Sequence, residues 1–201
     1  MRAFRIAKKK HVLTAFSGEG ARAYGGRWNH PGIPMVYAAQ TRALAALESL
    51  AHFGGAERRM ALVTFEIEIP DRLAIHVAAA SLPRDWRRDE PSASTQGIGS
   101  EWQLSGRSAA LVVPSVLVPQ EFCVLVNPEH PDTDKIMVSY PEPFEFDSRL
   151  RGTLFDLYRS RSRVAAPRQV PLARSAHTAP ELRASRGCLT VSGAFLSKEK
   201  P

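Results

Sequence analysis

The chain has 201 residues, 44% apolar and 23% charged, with a formal net charge of +7. That length suffices for one domain with a real core, and the proportions are those of a soluble globular protein. No apolar run approaches the roughly 20 residues of a membrane helix, so no membrane partner is expected. The basicity is uneven: Met1 to Gly152 carries 18 Lys+Arg against 17 Asp+Glu, and Thr153 to Pro201 carries 9 against 3. A near-neutral body lacks the basic patch of a DNA-binding module, so direct nucleic-acid binding by the body is not expected.

In chain order, the basic N-terminus MRAFRIAKKKHVLTAFSG has neither the apolar segment nor the small-residue cleavage site of a secretory signal. Met35–Ala39 follows a Pro-Gly-Ile-Pro segment and predicts a short buried strand. Thr41–Phe53 predicts a helix: Thr41 suits an N-cap, Ala and Leu dominate, and Gly54-Gly55 follow as a stop. Leu44, Leu47, Glu48 and Ala51 have the spacing of one helical face. Ala61–Pro70 alternates from Thr64 onward as a half-buried strand does, and Leu73–Ala78 suggests another short strand. Asp89–Gly106 begins as a loop, with a helical turn expected around Trp102. Ala109–Pro128 is Val- and Leu-rich and interrupted by Pro114 and Pro119, which predicts two or three short buried strands. Lys135–Phe146 reads as a final strand pair or edge. Past about Arg151 the composition turns to Arg, Ser, Ala and Pro, so a domain over 1–152 is expected to precede a disordered or loosely docked tail over 153–201. Many short strands with two or so helices indicate α+β rather than a parallel βαβ sheet.

Several motifs invite chemistry and are set aside. Gly18-Glu19-Gly20-Ala21-Arg22-Ala23 matches a dinucleotide-binding pattern, yet Tyr24-Gly25-Gly26 would stop the helix that pattern needs. Glu129, His130, Asp132 and Asp134 fit neither a zinc nor a calcium spacing, so no metal is expected. Cys123 and Cys188 have no metal-type spacing and form no disulfide framework, and a reducing, cytoplasmic setting is the default. No serine sits in a G-x-S-x-G elbow.

Three residues remain. Arg27 lies in Gly25-Gly26-Arg27-Trp28-Asn29, where paired glycines allow close backbone approach and a guanidinium offers a planar fork to a phosphate or diphosphate. Glu48 lies at the rim of the apolar face of the Thr41–Phe53 helix, where a carboxylate is desolvated unless it has a partner or a role. Ser115 follows Pro114, at an interruption of an apolar run from which its hydroxyl can reach a cleft. Singly, each has a plain explanation: a turn arginine stacked on Trp28, an edge glutamate reaching water, a satisfied core serine.

Together, FSGEGARAYGGRWN, MVYAAQTRALAALESLAH, LVVPSVLVPQEFCVLVNPEHPD and FEFDSRL occur in an order that closely resembles the RES domain, the toxin family of bacterial Xre–RES toxin–antitoxin systems. The family is named for an arginine, a glutamate and a serine, which correspond to Arg27, Glu48 and Ser115. The resemblance runs from about Phe4 to Leu150. Cys123 departs from it, standing where asparagine is frequent, as does Ala39, where serine or threonine is common. The resemblance implies an ADP-ribosyltransferase-like core of short, mostly antiparallel strands with a few helices. It implies cleavage of the nicotinamide–ribose bond of NAD+, with water, phosphate or a protein as acceptor, and no cofactor beyond NAD+ as substrate. In that reading Glu48 stabilises the developing ribosyl cation. Arg27 clamps the diphosphate, and Tyr37 stacks on nicotinamide. Ser115 orients Glu48 or the ribose, and Gly26 and Trp28 complete the cofactor-binding loop. The implied partner is an Xre-type helix-turn-helix antitoxin. A non-catalytic module with a nucleic-acid-binding basic tail stands as the alternative from another class.

Overall fold

A computed structural model describes residues 1–54 and 57–150; the expected tail over 153–201 lies outside the described residues. Among these, eight strands and three α-helices occur: β1 (Arg2–Lys8), α1 (Glu19–Tyr24), β2 (Val36–Ala39), α2 (Arg42–His52), β3 (Leu62–Glu68), β4 (Ala74–His76), α3 (Ala93–Ser105), β5 (Ala110–Pro114), β6 (Phe122–Val126), β7 (Met137–Val138) and β8 (Glu142–Phe144). All strands join one sheet in the order β4-β5-β6-β2-β1-β3-β7, with β8 also pairing β3. Only β4 and β5 pair in parallel. The architecture is α+β with mostly antiparallel strands, as the sequence predicts.

The sequence reading did not foresee β1, a central strand that pairs with β3 from Arg2↔Glu68 to Lys8↔Leu62. Three cations in RAFRIAK hide its strand character. They are tolerated because Arg2 reaches Glu66, Lys8 reaches Glu57, and Arg5 donates through Nη1 to the Tyr37 carbonyl. That carbonyl is open because β1 and β2 share a single pair, Phe4↔Ala39, before they part. Burial lowers the Arg5 pKa to about 10, which leaves the side chain cationic at neutral pH.

Helix α2 begins as expected, with Thr41 Oγ1 accepting from Leu44 N at 3.0 Å. Its buried face is a correction to the expected one. Leu44 and Ala45 are buried, whereas Leu47 is 41% exposed and Ala51 also faces solvent. In an Ala-rich helix the small side of Ala45 and Ser49 can lie against the sheet as readily as a leucine stripe. Glu48 stays on the inner flank, one turn beyond Leu44.

The expected turn at Trp102 is a 13-residue helix, α3, capped by Ser92 at its start and by Gly106 in the left-handed region at its end. Gly97 and Gly99 lower its intrinsic propensity, and packing overrides that. A Cβ on Gly99 would come within 1.9 Å of the Trp28 carbonyl oxygen. That closeness seats α3 on the Trp28 segment. Pro114 ends β5 opposite Phe122. It is accommodated because Ser115 N donates to Glu121 O, which by strand alternation turns the Pro114 nitrogen toward the side where β4 has already ended at His76.

The two larger helices share one face of the sheet. Leu44 and Ala45 of α2 pack with Ile6, Ala39 and Leu62. Trp102 of α3 packs with Trp28, Met35, Leu111, Val113 and Leu125. Burying each of these large side chains contributes about 1.5–3 kcal/mol. Cys123 touches both clusters, so it marks the seam between the helices.

Candidate active site

Functional side chains collect along that seam. In the register of β2, β5 and β6, Tyr37 lies opposite Leu125 and Ala39 opposite Cys123, and Val113 is also opposite Cys123. Paired residues in an antiparallel sheet project to the same face, so Tyr37 and Cys123 point toward the helices. Ser115 follows the end of β5, and Glu48 approaches from α2. Thr41, the cap of α2, donates its hydroxyl to Glu121 Oε2 at 2.9 Å. This link ties the start of the helix to the β5–β6 turn and sets where Glu48 falls.

The structure brings Glu48 and Ser115 into direct contact. Ser115 is fully buried, and its Oγ donates to Glu48 Oε1 at 2.8 Å. The direction of that bond is forced. Ser115 Oγ accepts from Leu117 N and Val118 N, both at 3.1 Å, so its two acceptor sites are taken and its single proton goes to the carboxylate. The Cys123 thiol donates to the same Oε1 at 3.3 Å. Among the described residues nothing donates to Oε2, which leaves one carboxylate oxygen of a half-buried glutamate for an incoming group. Burial, then the Glu48 charge, pushes the Cys123 thiol well above its ordinary range, so it remains a protonated donor.

Tyr37 continues the row. Its hydroxyl donates to Asn29 Oδ1 at 2.7 Å and accepts from Trp28 N at 3.0 Å. Burial pushes the phenol well above its ordinary range, against an opposing contribution from the Arg27 charge. The phenol therefore stays a donor, and Arg27 lies close enough to act on it. Arg27 touches neither Glu48 nor Ser115 directly. It donates through Nη1 to Trp86 O at 3.2 Å and through Nη2 to Asp89 O at 3.1 Å. A guanidinium has five N–H donors, so three remain for an anion after these two.

The Gly25–Asn29 loop is held rigidly. Gly25 adopts φ +71° and ends α1. The buried Asn29 side chain donates to the Ala21 and Ile33 carbonyls, both at 2.9 Å. Gln96 of α3 donates to the Gly26 carbonyl at 3.0 Å. The close approach that Gly26 permits is to Tyr37: a Cβ there would lie 2.5 Å from the Tyr37 hydroxyl oxygen. Trp28 is 2% exposed, so its ring belongs to the core and its contribution to the site is the backbone N–H given to Tyr37.

Asn29, Glu121 and Cys123 support the site without having been singled out for it. Cys123 was legible only as a departure from a family pattern. The alternation of β6 was the available signal, because it places Cys123 and Leu125 on the face of Tyr37.

The family model described as RES domain matches residues 2–147. A "Toxin Res" from Yersinia enterocolitica is 38% identical over 75% of this chain and 100% of its own length. Another from Photorhabdus laumondii is 40% identical over 73% of this chain and 95% of its own. A Sphingobium protein named "Prs ADP-ribosylating toxin" is 39% identical over 73% of this chain and 94% of its own. Among solved structures, a chain of the M. tuberculosis MbcT–MbcA toxin–antitoxin complex superposes with a TM-score of 0.59 at 19% identity, covering 72% of this chain and 84% of that one.

Proposed function

The chain belongs to the RES domain family, and from that premise we propose that it is the toxin of a toxin–antitoxin pair and consumes NAD+ by breaking the nicotinamide–ribose bond. The observation that carries this reading is the Glu48 carboxylate, fixed at Oε1 by Ser115 and Cys123 with Oε2 left for substrate. Nicotinamide leaves NAD+ as a neutral ring, so its departure needs no general acid. The barrier lies in the positive charge that builds on the ribose, and a preorganised carboxylate beside it lowers that barrier electrostatically. The carboxylate is already positioned in the resting protein, so little reorganisation accompanies the charge build-up.

Arg27 clamps the diphosphate with the donors that the Trp86 and Asp89 carbonyls leave over. Those carbonyls hold the guanidinium plane in place for a bidentate contact. Tyr37, kept neutral, offers its ring to the nicotinamide end. Gly26 and Trp28 act through the loop, by seating Tyr37 and orienting the Arg27 backbone. The reaction draws on cytoplasmic NAD+. The protein's partner is an antitoxin that covers the cleft, of Xre type as the family resemblance implies.

Transfer of ADP-ribose to a protein is the second reading, favoured by the name of the Sphingobium relative. Both share the first bond-breaking step and differ in the acceptor. A time course of NAD+ with purified chain tests the proposal, and repeating it with cell lysate and labelled NAD+ separates the readings. Free ADP-ribose or its 1-phosphate indicates degradation, and a labelled protein band indicates transfer. NAD+ that survives both incubations contradicts the proposal.

A further inference from the structure

Resting on that reading of Glu48, we infer that the Cys123 thiol is a positioning residue, which locks the rotation of the Glu48 carboxylate by a second hydrogen bond to the oxygen Ser115 already holds.

The terminal torsion of a glutamate is broad and roughly two-fold. One donor at Oε1 therefore tethers the carboxylate but lets it swing about the tether. A second donor from a different strand removes that freedom. Ser115 comes from the loop after β5 and Cys123 from β6, and both meet Oε1, at 2.8 and 3.3 Å. Their convergence on one oxygen leaves Oε2 pointing away from both.

The geometry around Cys123 allows it little else. Its cross-strand neighbours are Ala39 and Val113, and neither offers a side-chain acceptor. The Ser115 oxygen, the other polar atom at hand, has both acceptor sites filled by Leu117 N and Val118 N. The thiol proton is thus directed to Glu48. A low-polarity pocket that keeps sulfur protonated strengthens this assignment, since a thiolate would repel the carboxylate. A sulfur in a Val- and Leu-rich strand otherwise reads as a small core residue.

The test uses full-length protein with Cys188, the only other cysteine, replaced by serine, so that one S–H group reports. Its infrared stretching band should lie at the low frequency of a thiol bonded to an anion and should move up in Glu48→Gln, where the acceptor is neutral. In NAD+ kinetics, Cys123→Val should lower kcat about fivefold, a value in line with one net hydrogen bond, with KM within about twofold of the parent. Cys123→Ser and Cys123→Asn, which restore a donor, should recover most of that loss. A band that ignores Glu48→Gln overturns the inference, as does a Cys123→Val chain with parental kcat or a Cys123→Ser chain as slow as Cys123→Val. Failure of the NAD+ reading looks different: no chain, the parent included, turns over NAD+, while the S–H band still responds to Glu48→Gln.

Discussion

Replacing Ser115 by alanine strikes the account at its narrowest point. The hydroxyl does two jobs: it donates to the Glu48 carboxylate at 2.8 Å and accepts from two backbone N–H groups at 3.1 Å. A hydrogen bond to a charged group contributes about 1.5–3 kcal/mol, and an orphaned buried N–H costs about 1–3 kcal/mol. Leu117 is exposed and Val118 only half-buried, so water can reach the first N–H at least and the second penalty is partial. A net loss of about 2–4 kcal/mol follows, which for a domain of this size lowers Tm by roughly 5–15 °C. The catalytic loss is separable. With one of two donors gone from Oε1, kcat should fall about tenfold or more while KM for NAD+ changes little. Thermal unfolding by circular dichroism and steady-state NAD+ consumption measure the two effects. The coupling is checked with Glu48→Gln and the double variant, whose effects should fall short of the sum of the singles. A Ser115→Ala protein that melts within about 1 °C of the parent and keeps its kcat would refute the reasoning.

Gly26→Ala puts a Cβ 2.5 Å from the Tyr37 hydroxyl oxygen and should displace Tyr37 and impair NAD+ consumption. Gly20→Ala in α1, where nothing lies within 4 Å, should be neutral or stabilise by up to about 1 kcal/mol, and chemical denaturation of the pair reads both. Gly99→Ala meets the Trp28 backbone at 1.9 Å and should cost at least about 2 kcal/mol, seen as a Tm drop of roughly 4–8 °C. Thr41→Ala removes the cap of α2 and its bond to Glu121. It should destabilise by about 1–2 kcal/mol, measured by urea titration, and should lower kcat because α2 carries Glu48.

Where local signals were strong, the sequence was legible. Helix α2 announced itself through Thr41 and its Ala/Leu content, and Val36–Ala39 and Leu62–Glu68 through apolar strand patterns. Strand β1 was hidden because Arg2, Arg5 and Lys8 break the pattern, and their partners Glu66, the Tyr37 carbonyl and Glu57 come from remote positions. Helix α3 was hidden by Gly97 and Gly99, whose merit is a tertiary contact with Trp28 that no local rule contains. The inner face of α2 was misjudged at Leu47 because alanines leave a helix's orientation open until the sheet is present. Glu48 and Ser115 stand 67 positions apart, so their contact was available only through a family resemblance. The role of Gly26 changed most: its missing side chain makes room for Tyr37 inside the loop.

Release of free nicotinamide from NAD+ by the purified chain, followed beside Glu48→Gln at matched circular dichroism, tests the central claim most directly. The account predicts steady release by the parent and a fall of about 100-fold or more in the variant, as expected when a preorganised charge is removed from a developing cation. Undiminished release by Glu48→Gln, or none from the parent, would contradict it.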